Sequence, residues 1–321
     1  MTRGRILQLQ RLSTEDGPGI RTTAFFKGCP LSCAWCHNPE AISPRIETQW
    51  FAERCLGCRT CLEACRNDCL KMTDAGLIID REHCQACGDC TRACPSGALE
   101  ALGTVVTADE LVAELIKDRA YFTASGGGVT LSGGEPTLQP EFAEAVLCGL
   151  HAAGVHTALD TCGLCPPEVL ERLLAATDLV LFDLKLLDQD AHRRLTGAPN
   201  SRILENLERV RDHRDASGRP VEIWIRTPLI PGATAGEENL HAIGGHLAEQ
   251  MQGRIARWEL CAFNNLCRDQ YRRLGLEWAY ANTPLMAAPE LEACQANARA
   301  SGLRAEILAT GAVRAAPAPR E

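Results

Sequence analysis

Three cysteines, Cys29, Cys33 and Cys36, stand at C-x3-C-x2-C spacing within KGCPLSCAWCHNPE. A closed [4Fe-4S] site takes four thiolates and a closed structural zinc site takes four ligands, so three cysteines leave one metal position for something else. A Cys3His zinc site using His37 is the plainer alternative, but adjacent Cys36 and His37 would have difficulty both reaching one tetrahedral metal. Eight further cysteines form two runs of C-x2-C-x2-C-x3-C: Cys55, Cys58, Cys61 and Cys65, then Cys84, Cys87, Cys90 and Cys94, the second followed by Pro95. Such tight, regular spacing suits metal binding better than distant disulfide pairing, and it points to a reducing compartment. A pair of zinc ribbons is the competing reading of the two runs.

The elements that must carry these residues follow a βα rhythm. Strand candidates are Thr22 to Lys27, Gly128 to Ser132, Val155 to Asp160, Leu179 to Leu184, Val221 to Thr227 and Trp258 to Phe263. Between them, Glu141 to Ala153, Pro167 to Ala176, Ser201 to Arg211 and Glu237 to Gln250 space their apolar residues three and four apart, as helices do. Six such units predict an α/β fold, a partial (βα)6 TIM-like barrel, with its chemistry in the loops that leave the C-terminal ends of the strands. Residues 49–100 break the rhythm. They are short of apolar periods and dense in cysteine, so they read as a metal-stapled insertion, leaving 1–48 and 101–321 as the barrel.

The chain has 321 residues, 45% hydrophobic and 23% charged, with 18 cysteines and a formal net charge of −8. That balance excludes disorder and argues against a nucleic-acid partner or an anionic membrane surface. No stretch approaches the roughly 18 apolar residues of a membrane span, so the expectation is a soluble, cytoplasmic protein. The tail AAPAPRE reads as frayed.

The C-x3-C-x2-C motif with an aromatic, Trp35, before its last cysteine is similar to the signature of the radical S-adenosylmethionine superfamily. In that family the open iron is chelated by the methionyl group, and the reduced cluster cleaves the sulfonium to a 5′-deoxyadenosyl radical. The resemblance implies that Cys29, Cys33 and Cys36 hold the catalytic cluster, with Trp35 and His37 beside the cofactor. LSGGEPTLQP, with Gly133, Gly134 and Glu135, looks like the family loop that receives the methionyl amine. DTCG at Asp160 and the DLK segment of Asp183, Leu184 and Lys185 resemble further cofactor contacts, Lys185 near the carboxylate. The same resemblance has Asp160 and Asp183 hold a monovalent cation.

EDGPGIRTTAFFKGCPLSCAWCHNPE and SGGGVTLSGGEP are similar to one subfamily, the glycyl-radical-enzyme activating enzymes, as are Arg21 and VEIWIRTPLIPG with Arg226. The partner implied is a glycyl radical enzyme with a C-terminal glycine loop, and flavodoxin or ferredoxin is the implied reductant. One departure stands out. Where those activases carry a histidine in the sixth-strand segment, LCAFNNLC has Asn264, whose amide can still hydrogen-bond adenosine or ribose.

The two later cysteine runs resemble a bacterial two-cluster ferredoxin, in which the fourth cysteine of each run crosses to the other cluster. That assigns Cys55, Cys58, Cys61 and Cys94 to one [4Fe-4S] cluster and Cys84, Cys87, Cys90 and Cys65 to a second, three clusters in all. Arg66 replaces the proline expected after the first run, and Cys69 offers a substitute for Cys65. Two other functions compete: a radical enzyme acting on a small molecule or peptide, and an electron carrier whose clusters only pass charge. The three-cysteine motif counts against the carrier.

Overall fold

The computed structural model describes residues 1–251 and 253–314; the AAPAPRE tail lies outside them. Thirteen strands are present among the described residues. They are β1 (Arg3–Ser13), β2 (Arg21–Phe26), β3 (Glu47–Trp50), β4 (Leu70–Thr73), β5 (Gly76–Ile79), β6 (Leu99–Leu102), β7 (Thr104–Thr107), β8 (Gly128–Gly133), β9 (His156–Thr161), β10 (Leu179–Asp183), β11 (Glu222–Leu229), β12 (Arg257–Ala262) and β13 (Glu306–Thr310).

One large sheet runs β13-β12-β11-β10-β9-β8-β2-β1-β7. From β2 to β13 every neighbouring pair is parallel, the arrangement that crossover helices produce. All six strand candidates fall in this parallel set. A seventh parallel strand, β13, joins it, and the antiparallel β1 and β7 close the other edge. Sequence reading missed these three for a physical reason: β1 alternates half-buried Leu7 and Leu9 with exposed Gln8 and Gln10, and β7 and β13 are short edge strands with little buried surface. An alternating strand carries no sustained apolar run.

The central strands are apolar on both faces because helices cover them. Helix Pro140–Ala152 places Phe142, Ala143, Val146, Leu147 and Leu150 against the sheet, all buried. Full burial of each large side chain contributes about 1.5–3 kcal/mol. The result is one contiguous core running from Ile6 to Ile307.

The cysteine-rich segment is tied off at a neck where β3 pairs antiparallel with β6. Beyond the neck lie the β4-β5 hairpin and two five-residue helices, Thr60–Ala64 and Asp89–Ala93, packed with Leu77 and Leu99. Among the described residues no helix is long and apolar enough to cross a membrane.

Candidate functional site

A cavity of about 380 Å³ opens at the C-terminal ends of the parallel strands. The loop leaving β2 forms one wall, with Cys29, Cys33, Trp35, Cys36 and His37 facing it. This loop is held by backbone bonds rather than by regular structure. Gly28 and Cys29 donate to the carbonyls of Ala41 and Ile42 at 2.7 and 3.1 Å. Ser32 and Ala34 donate to Thr196 and Leu195 at 2.8 and 2.9 Å, satisfying the last carbonyls of helix Gln189–Thr196. Tyr271 Oη donates to the Cys36 carbonyl at 3.0 Å, and Trp278 Nε1 to that of Ala34 at 3.1 Å.

The three thiols are half-buried, and burial raises each above its ordinary value, Cys29 to about 12. An empty pocket therefore keeps them protonated, and a cationic centre must supply the charge that makes them thiolates. Among the described residues, no three or more His, Cys, Asp or Glu side chains gather tightly enough for a single metal ion. A cluster needs its thiolates spread around a larger body, and three thiols on one open wall fit that donor set.

Facing them are Gly133 and Gly134, and no larger residue could stand there. Gly133 has φ of +108°, and a Cβ on Gly134 would lie 2.2 Å from the carbonyl oxygen of Gly28. The missing Cβ atoms let this loop pack directly on β2 and on the Gly28 turn that opens the cysteine loop. Glu135 turns away: it is fully buried and accepts from Thr161 Oγ1 at 2.8 Å and from the Cys162 amide at 2.7 Å. Leu184 is also behind the wall, its amide bonded to the Arg226 carbonyl at 2.9 Å. These two are braces, not cavity residues.

Charge gathers on the opposite rim. Lys185 pairs with Asp183; burial opposes its charge, but the Asp183 carboxylate outweighs that and holds the ammonium above its usual range. Asp160 accepts from Ser132 Oγ at 2.5 Å and lies 3.4 Å from Arg226. Burial, opposed by Arg226 and reinforced by Asp183, lifts its carboxyl to about 7. Arg226 also meets Asp16 at 3.7 Å and Glu259 at 3.5 Å. Arg21, by contrast, is fully buried and bonds Thr130 Oγ1 at 2.7 Å and the Val129 carbonyl at 2.7 Å.

His37 and Asn264 meet at the cavity's far end. His37 Nε2 is buried without a partner, and its ring lies 6.1 Å from Phe263. Asn264 Oδ1 accepts from the Leu266 amide at 3.2 Å. The sequence reading did not find Tyr271, Trp278 or Cys261. Tyr271 and Trp278 hold the cysteine loop from more than two hundred residues away, a contact that no spacing reveals.

In the insertion, Cys55, Cys58, Cys61 and Cys94 surround one small cavity. Burial raises the Cys90 thiol to about 11, with Cys84, Cys65 and Cys87 adding to the effect, so those four are also neighbours. The backbone repeats with the cysteines. Left-handed residues Gly57, Arg59 and Asp68 recur as Ala86, Gly88 and Gly97 at the same offset that carries Cys55 to Cys84. Cys65 Sγ accepts from the Cys69 amide at 3.3 Å, and Cys94 Sγ from the Ala98 amide at 3.2 Å. Cys69 thus occupies the place of Ala98, its own thiol donating to the Asn67 carbonyl.

The sequence pattern defining the radical SAM superfamily matches residues 23–242. The chain belongs to that superfamily. Within this radical SAM family its relatives are activating enzymes. It is 43% identical over 253 residues to the isethionate sulfite-lyase activating enzyme of Oleidesulfovibrio alaskensis, covering 77% of this chain and 81% of the relative. It is 36% identical over 303 residues to the pyruvate formate-lyase 2-activating enzyme of Escherichia coli, covering 94% and 92%. The chain is a radical SAM enzyme of the glycyl-radical-enzyme activating group, acting with a [4Fe-4S] cluster and S-adenosylmethionine. Streptococcus suis SuiB bound to precursor peptide SuiA shares the fold, with a TM-score of 0.52 and 12% identity over 88% of this chain and 46% of SuiB.

Proposed function

We propose that Cys29, Cys33 and Cys36 hold the cluster that binds S-adenosylmethionine, and that the insertion is a ferredoxin-like domain holding two more. The observation that carries the first assignment is the set of three half-buried thiols lining one cavity together with Gly133 and Gly134. When bound there, the cluster and S-adenosylmethionine supply the reducing electron and a 5′-deoxyadenosyl radical that takes hydrogen from a glycine of the partner. The protein's own work is placement. Gly133 and Gly134 offer backbone to the methionyl amine, and Lys185, oriented by Asp183, offers an ammonium to the carboxylate. Asp160 and Asp183 would between them take a monovalent cation, since the Asp183 charge raises the cost of ionising Asp160 when none is present. His37 carries an unpartnered ring nitrogen, and Asn264 a side-chain amide, that adenosine or ribose would meet. Trp35 and Phe263, both buried, close the apolar side against water.

The repeated left-handed backbone and the crossed grouping of Cys94 and Cys65 support the ferredoxin-like reading of residues 49–100. Flavodoxin or ferredoxin would be the reductant, in the cytoplasm. Isethionate sulfite-lyase is the first partner to try, because the relative that activates it is 43% identical.

The test is anaerobic. The reconstituted protein, with dithionite and S-adenosylmethionine, should form 5′-deoxyadenosine, and with the partner added should leave a glycyl radical visible by electron paramagnetic resonance. The C29A/C33A/C36A variant should form neither. Equal product from the variant would refute the assignment.

A further inference from the structure

The two halves of the insertion are alike in sequence but stand differently toward the barrel. Every residue around the cavity of Cys55, Cys58, Cys61 and Cys94 belongs to the insertion, from Trp50 to Leu99. Cys84 instead lines a cleft with Arg45, Ile46, Glu47 and Thr48, the run that leads out of the catalytic loop. Ile42, a few residues before that run, accepts the Cys29 amide at 3.1 Å.

A second connection leaves the same half. Arg81, three residues before Cys84, donates to the Thr48 carbonyl at 2.9 Å and to the carbonyls of Arg273 and Leu274 at 2.8 and 3.1 Å. Those two carbonyls end helix Arg268–Leu274. The same helix carries Tyr271, whose hydroxyl bonds the Cys36 carbonyl at 3.0 Å and whose ring stacks on Trp278 at 5.1 Å and 13°. Trp278 in turn bonds Ala34 between Cys33 and Cys36. Arg81 and the catalytic loop are therefore linked through one helix, by hydrogen bonds at its C-terminal end and by the Tyr271 side chain.

Resting on the reading that the insertion holds two clusters, we propose that the half bearing Cys84, Cys87, Cys90 and Cys65 passes electrons to the Cys29, Cys33 and Cys36 loop, with Arg81 and Tyr271 as positioning residues of the bridge. The Cys55 half is then the outer one. One electron leaves a reduced cluster in the inner half and enters the oxidised cluster on the loop; no bond changes and no proton moves. A low-potential one-electron protein donor replaces it.

Cys58 and Cys87 are equivalent and both exposed, which makes them matched knock-outs. In the reconstituted full chain, iron per chain is measured first, then the electron paramagnetic resonance of the dithionite-reduced protein, taking the loop cluster as the signal that shifts on adding S-adenosylmethionine. Dipolar coupling between spins falls steeply with distance. Cys87→Ala should lose the broadening of the loop signal, and Cys58→Ala should keep it; the reverse pattern, or equal loss in both, overturns the order. Arg81→Gln, which removes no ligand, should keep full iron and the same midpoint potentials, yet slow reduction of the loop cluster by reduced flavodoxin at least tenfold in freeze-quench samples. An unchanged rate overturns the bridge. An intact chain that binds the iron of one cluster only would instead refute the underlying reading.

Discussion

The cysteines of the barrel mouth and those of the insertion have opposite kinds of support. In the insertion, each run of four thiols is placed by its own short segment: a left-handed residue before a five-residue helix, then, for Cys65 and Cys94, an amide four residues on that donates to sulfur. At the mouth, a loop with no regular structure is held by Ile42, Leu195, Thr196, Tyr271 and Trp278, contributed by four separate parts of the chain. A repeated local code suits a site whose task is to hold a closed cluster. An open site, which must present one face to a second molecule, needs walls that its own segment cannot supply.

Breaking the two regions in turn should show the difference most strongly at the ligands. Cys33→Ala should reduce 5′-deoxyadenosine formation with dithionite to background, whereas Cys58→Ala should retain it, since dithionite can reach the loop cluster directly. Comparable loss in both would mean that the insertion is required for the chemistry itself. Gly134→Ala comes next. Its methyl would overlap the Gly28 carbonyl, so the loop must shift, at a cost of roughly 1–3 kcal/mol and with weakened S-adenosylmethionine binding, measurable by equilibrium dialysis.

The charged rim should also respond to pH. The Asp160 carboxyl is raised from 3.8 to about 7, so the folded state binds its proton more tightly than the unfolded chain does. Its contribution is complete below pH 3.8 and is lost as pH rises through about 7. Asp160→Asn should therefore gain stability relative to the parent across that window, on the order of 4 kcal/mol, in denaturation of the cluster-free protein at several pH values. Parallel pH profiles for the two proteins would exclude the shift.

The smallest effect lies in the repeat. Asp68 and Ala86 hold φ of 49° where their counterparts are Gly97 and Gly57. Replacing either with glycine should stabilise the insertion by about 1 kcal/mol, because a left-handed conformation costs an L-residue roughly 1–2 kcal/mol. A loss of stability in thermal melts would show that the side chain makes a compensating contact.

Much of this was readable in advance. Periodicity marked the six parallel strands within a residue or two of their ends, since strands covered on both faces are continuous apolar runs. It did not mark β1, whose alternation leaves no such run, nor the place of Glu135 and Leu184 behind the wall, since a turn motif does not say which of its side chains faces inward. Of the seven cysteines outside the three motifs, Cys69, Cys162, Cys165, Cys267 and Cys294 are buried, Cys148 is exposed, and Cys261 lines the cavity.

By itself the sequence determined residue type and local spacing: three cysteines at C-x3-C-x2-C, two repeated four-cysteine runs, and glycines where the backbone must come close. These are properties of neighbouring residues, and spacing carries them. The tertiary structure alone decided that Tyr271 and Trp278 grip the cysteine loop, that Arg226 stands among Asp16, Asp160 and Glu259, and that Cys84 lines a cleft with Arg45, Ile46, Glu47 and Thr48. Each joins residues far apart in the chain, and only the packing of strands and helices around one core brings them within bonding distance.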